Sequence, residues 1–223
     1  MRRLASTFTL GTALVIAALG LTATVATAQQ VNAQGTDSPA SVERSDVTTS
    51  GVLDVAWEQQ VTGYFCGPAA TRMALKAQTS SPPGQWDLAS MMGTDQNGTD
   101  HVGLVADAMN SVLGSSYYED KYLDYSPTQA QRDLFTQDVI YDIDRGYAIV
   151  ANIWVAAGGP RPPGYPSGAV FHYVTIIGYD NGGDRVLIAD PAAGIGGFEN
   201  VESKYWLDTY TMGTLIGGKG YAA

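Results

Sequence analysis

One cysteine, Cys66, and two histidines, His101 and His172, are all that the 223 residues contain of either type. A lone thiol excludes an intrachain disulfide, and with so few Cys and His a zinc-binding cluster is not expected. Positive charge is scarce too, with 12 Lys and Arg against 22 Asp and Glu. Nucleic acid and anionic membrane surfaces are bound through positive charge, so neither is expected as a partner. After residue 28 there is no uninterrupted apolar stretch of the length a membrane-spanning helix needs.

What is present begins with an export signal. Arg2 and Arg3 precede an apolar stretch from about Phe8 to Leu21, and Ala26-Thr27-Ala28 offers small residues for cleavage. Residues 1–28 are therefore read as a signal peptide of the general secretory route, which makes the mature protein secreted. Residues 29–50, rich in Gln, Ser, Thr and Asp and without apolar periodicity, read as a disordered linker or short pro-segment. Loss of Arg2 and Arg3 leaves ten basic residues against 22 acidic ones, so acidity serves mainly solubility. Residues 51–223 are enough for one domain with a substantial core.

The first half of that domain has helical texture. Ala70, Met73, Ala74 and Ala77 recur at helical spacing after Cys66, with Pro68 in the first turn. A second helix is expected from Thr99 or Asp100 to Leu113, stopped by Gly114. A third starts at Ser126-Pro127 and ends at Gly146. After Gly146, residues 147–154, 170–179 and 185–190 are short runs rich in Val, Ile and aromatics, hence strands. Helices followed by strands predict an α+β domain, an antiparallel sheet packed on a helical half. Tyr205-Trp206 and the 217–221 tail are expected at the fold's edge. The interval 158–168, with four glycines and four prolines, reads as a loop that overhangs a cleft, selects substrate and adds little to stability.

Cys66 at a helix start suits a nucleophile, because the positive end of the backbone dipole lowers a thiol pKa. A buried, inert thiol is the competing reading. Gln60, six residues upstream, can bring an amide N–H to the same point as an oxyanion donor. His172 lies on a strand and shares a face with Val170, Val174 and Ile176, so it is either a base or a satisfied core histidine. Asp190, at the end of the next strand, is the group that would orient it; with Pro191 it is otherwise an ordinary turn. His101 and the run Asp95–Asp100 read as a helix start and a turn, not as a metal or calcium site, since Ala106 stands where a calcium loop would close with Glu.

In chain order, Gln60, Cys66, His172 and Asp190 resemble the oxyanion Gln, nucleophile, base and orienting residue of papain-like cysteine peptidases. The closer resemblance is to the bacteriocin-processing peptidase family and its stand-alone secreted relatives. It is carried by Gln60 with Cys66-Gly67-Pro68-Ala69-Ala70, His172-Tyr173-Val174 with Gly178-Tyr179, Asp190-Pro191, and Gly98-Thr99 before a helix with Leu104 and Asn110. It implies a papain-like fold and a secreted cysteine peptidase that cuts peptide or related amide bonds through a Cys-His-Asp triad. No cofactor or metal is implied. The expected partner is a peptide or protein, a cell-wall peptide among the candidates, and the expected state is a monomer. The absence of transporter segments argues against leader cleavage during export. An acyltransferase or transpeptidase on the same fold and a non-catalytic extracellular binding module are the alternatives.

Overall fold

The computed structural model describes residues 49–223, so the signal peptide and nearly all of the expected linker lie outside the described residues. Seven strands form one sheet: β1 (Gly51–Val52), β2 (Asp120–Lys121), β3 (Ile149–Val155), β4 (Val170–Asp180), β5 (Arg185–Ala189), β6 (Lys204–Asp208) and β7 (Tyr221–Ala222). Their order is β2-β7-β3-β4-β5-β6, with β1 on the far end of β4. All pairings are antiparallel. The α+β class is as expected.

The helices divide between both faces of the sheet instead of forming one helical half. Helices α1 (Cys66–Leu75), α2 (Gln85–Met92) and α3 (Val102–Leu113) cover one face, where Met73, Leu88 and Met109 pack on Val150, Tyr173 and Ile177. Helices α4 (Gln129–Asp144) and α5 (Thr209–Ile216) cover the other, where Phe135, Val139 and Leu215 pack on Ile149, Ile153, Val174 and Ile188. The reason is the composition of β3 and β4. Strands apolar on both faces need cover on both, and each buried Val, Ile or Leu contributes roughly 1.5–3 kcal/mol only if water is excluded from its side of the sheet.

Register is adjusted once, at a bulge between Ile176 and Gly178 on β4. The extra residue shifts the alternation, so Ile177 faces the α1–α3 layer while Tyr179 joins the α4 layer and donates a hydrogen bond to Asp144 at 2.7 Å. Helix α3 starts at Val102, later than expected, because Thr99 is buried with its hydroxyl on Thr94 at 2.7 Å and its carbonyl on the Tyr173 hydroxyl at 3.2 Å. Helix α4 starts after Thr128, which forms a reciprocal capping box with Gln131. β6 with Tyr205-Trp206 is a sheet edge, whereas the 217–221 tail leads into β7, which is inserted between β2 and β3. Among the described residues no helix is long and apolar enough to cross a membrane.

Candidate active site

Helix α1 begins at Cys66 with no side chain capping its first turn and no acidic residue there. Its leading N–H groups are thus left for a ligand or an oxyanion. Gly67 is required by close approach: a Cβ at that position would fall 2.3 Å from the Thr99 hydroxyl. The absence of a side chain lets the helix start press against the 97–100 turn.

β4 brings His172 to the half-buried Cys66, and the two side chains line the same cleft. His172 Nε2 is 2.8 Å from Asp190 Oδ1, so Nδ1 is the ring nitrogen left for the sulfur. Hairpin pairing of β4 with β5 sets this distance, since Asp190 directly follows the last residue of β5. Asp190 is fully buried, yet every lone-pair direction is used. Oδ1 also accepts from the Ala192 N–H at 2.9 Å, and Oδ2 accepts from the hydroxyls of Tyr165 at 2.6 Å and Tyr205 at 2.9 Å.

The electrostatics follow from this packing. Burial pushes the Asp190 carboxyl up, but His172, Tyr165 and the Ala192 N–H together hold it below the usual carboxylate range. Burial pushes His172 down, but the Asp190 charge and the bonds to Asp190 and Cys66 raise it to about 10. Burial alone would push the Cys66 thiol up; the His172 hydrogen bond and charge, with backbone groups of Tyr173 and Gly67, bring it below its ordinary value. Both shifts act in the direction of a thiolate–imidazolium pair.

Gln60 is buried beside this pair and lines a recess of about 330 Å³ with Cys66, His172, Pro166 and Phe198. Its position is fixed by a strap in which the Gln60 N–H meets the Pro191 carbonyl at 2.9 Å and the Trp57 indole meets the Asp190 carbonyl at 2.7 Å. Glu58, paired with Arg72 of α1 and with Lys76 at its C-terminal cap, ties the same strap to the helix that carries Cys66. The Gln60 amide donates to the Thr62 carbonyl at 2.7 Å, which leaves its second N–H for another acceptor. All four residues expected from sequence are thus gathered at one cleft. His101 is not; it caps α3 from an exposed position, and among the described residues no metal-ligand cluster exists.

A family model, the Peptidase_C39 like family, matches residues 52–212. The chain belongs to that family. This cysteine peptidase is also similar to several solved structures. A Bacillus anthracis protein assigned as a C39-like peptidase is 14% identical, with 78% of this chain and 96% of that one covered at a TM-score of 0.49. The peptidase domain of Streptococcus ComA, a bifunctional ABC transporter of a quorum-sensing pathway, is 16% identical, with 75% and 96% covered at 0.47. A double-glycine-motif protease from an AMS/PCAT transporter, solved with its leader peptide, is 15% identical, with 77% and 91% covered at 0.42. No curated protein matches the chain.

Several parts of the peptidase's cleft were not anticipated. Asn97–Asp100, read as a plain turn, forms a wall beside Cys66 together with Asn152, Phe171 and Lys219. The 158–168 loop does reach the cleft at Pro166, but its centre is not a free overhang: Tyr165 is buried and bonded to Asp190, and Arg161 binds the carbonyls of Ala156, Gly159 and Pro166. A single aromatic between two proline-rich turns, Pro162-Pro163-Gly164-Tyr165-Pro166, was the available signal that the loop has an anchor.

Two outcomes are expected. The rate of Cys66 alkylation by iodoacetamide should have a midpoint below the ~8.5 of a free thiol. In His172→Gln it should lie higher than in the wild type, because only the backbone groups of Tyr173 and Gly67 then oppose burial. An unshifted profile in both proteins would contradict the ion pair. Replacing residues 161–167 with a Gly-Ser linker should lower the urea midpoint, and Tyr165→Phe alone should cost about 1.5–3 kcal/mol as a lost bond to a buried charge. Unchanged stability in both would mean that the loop is not a brace.

Proposed function

We propose that this family member is a secreted peptidase in which Cys66, His172 and Asp190 form a catalytic triad with Gln60 as oxyanion donor. The single observation that carries the reading is the meeting at one cleft of Cys66, Gln60 and His172, with His172 bonded at 2.8 Å to a fully buried Asp190. The Cys66 thiolate attacks a peptide carbonyl, and the carbonyl π electrons move to oxygen. The oxyanion receives hydrogen bonds from the Cys66 backbone N–H and the free N–H of the Gln60 amide. As the C–N bond breaks, the imidazolium of His172 gives its Nδ1 proton to the leaving amine and a thioester remains. Water then attacks the thioester while His172 takes its proton, and collapse of the second oxyanion expels the Cys66 thiolate. Asp190 stays ionised throughout and keeps the ring in register.

Export rests on the N-terminal segment read above and the reaction on the family and the cleft. An exported domain of this kind acts on peptides outside the cell. In the purified protein, Cys66→Ala and His172→Ala should abolish turnover of a peptide library. Gln60→Ala should lower kcat by about 10²-fold or more with a smaller change in KM, since the bond it makes strengthens as the oxyanion forms. Asp190→Asn should retain part of the activity, because an amide oxygen still accepts from His172. Full activity in His172→Ala would overturn the mechanism.

A further inference from the structure

Nine basic side chains occur in residues 49–223, and eight of them have a hydrogen-bond or ion-pair partner there. Among these basic residues Lys219 alone has neither, and it lines the recess of about 170 Å³ beside Cys66, distinct from the one that Gln60 lines. Its ammonium lies 4.8 Å from the centre of the Phe171 ring, which supports the charge without neutralising it. In a strongly acidic chain, an unpaired cation next to the nucleophile is a local inversion of sign.

The turn that presents Lys219 is rigid. The N–H groups of Lys219 and Gly220 both meet the Ile216 carbonyl, at 2.8 and 3.1 Å, and the Gly220 carbonyl accepts from Asn152 at 3.0 Å. Gly220 has φ +101°, and a Cβ there would lie 2.6 Å from the Lys121 carbonyl, so glycine is needed for the turn to close. Across the recess, the Tyr173 hydroxyl accepts from Asn152 at 2.9 Å and donates to the Thr99 carbonyl, which holds the facing wall. Asp100 is exposed at the same recess but forms no ion pair with Lys219, so the ammonium is available to a bound ligand.

We propose that Lys219 pairs with a carboxylate of the substrate close to the scissile bond, so that the enzyme selects acidic peptides. The inference rests on the peptidase reading above and adds the substrate class. The carboxylate belongs either to a Glu or Asp side chain or to a free chain terminus.

Two measurements on the full chain test it. The first needs no turnover: the ratio of Cys66 alkylation rates with anionic iodoacetate and neutral iodoacetamide. That ratio should fall roughly 3- to 10-fold in Lys219→Gln, fall further in Lys219→Glu, and depend on salt in the wild type. The second compares kcat/KM for peptides carrying Glu, Gln or Lys beside the cleavage site, each with a free or an amidated C-terminus. Glu with an amidated end preferred about tenfold assigns the side chain, and Gln with a free end preferred assigns the terminus. Lys219→Glu should move either preference toward Lys. An alkylation ratio and a peptide preference that are both unaltered in Lys219→Gln would overturn the proposal while leaving the peptidase reading intact. Labelled Cys66 with no peptide cleaved would overturn the peptidase reading instead, and unlabelled Cys66 would overturn both.

Discussion

A carboxylate removed from water is costly by several kcal/mol unless opposite charge and hydrogen bonds replace its hydration. Asp190 has no exposed surface, and four donors replace its water: an imidazolium, a backbone N–H and two tyrosine hydroxyls. Each comes from a different part of the chain. His172 is on β4, Ala192 is in the following turn, Tyr165 is in the proline-rich loop and Tyr205 is on β6. Satisfying this one group therefore fixes the relative positions of two central strands, an edge strand and a loop.

The same constraint sets the chemistry. A charged Asp190 raises the pKa of His172 despite its burial, and His172 in turn lowers that of the Cys66 thiol. In the proposed mechanism the pair is poised before substrate arrives, because its charge is carried by groups already locked in place. The strap from Trp57 to Gln60 hangs from the Asp190 turn by an indole N–H and a backbone N–H, so the Gln60 side of the cleft is referenced to the same carboxylate. Glu58 extends the reference to α1 through Arg72 and Lys76. Cys66 and Gln60 are thus held by one framework although they belong to different elements.

Much of this was legible in the residues themselves. Cys66 before Gly67-Pro68 signals a helix start, the apolar runs around His172 and before Asp190 signal adjacent strands, and Gly114 and Gly146 mark helix ends where they fall. The segments α2 and α5 escaped because they are only eight residues each, and Thr209-Tyr210-Thr211 has the composition of a strand until Asp208 caps it. The second donors to Asp190 escaped for another reason. Tyr165 and Tyr205 carry no local pattern, and their meeting at one oxygen is a property of tertiary packing. The same holds for Lys219, whose role depends on which basic residues found partners elsewhere.

The central claim is that Cys66 and His172 exist as an ion pair held by buried Asp190. It is tested most directly by ¹⁵N NMR of the His172 imidazole across pH in the wild type and in Cys66→Ala. The raised pKa of His172, to about 10, predicts an imidazolium through pH 7–8.5 in the wild type. In Cys66→Ala the thiolate is gone and burial opposes Asp190 alone, so the midpoint should move to lower pH. A neutral imidazole at pH 7 in the wild type, or a midpoint indifferent to Cys66, would contradict the account.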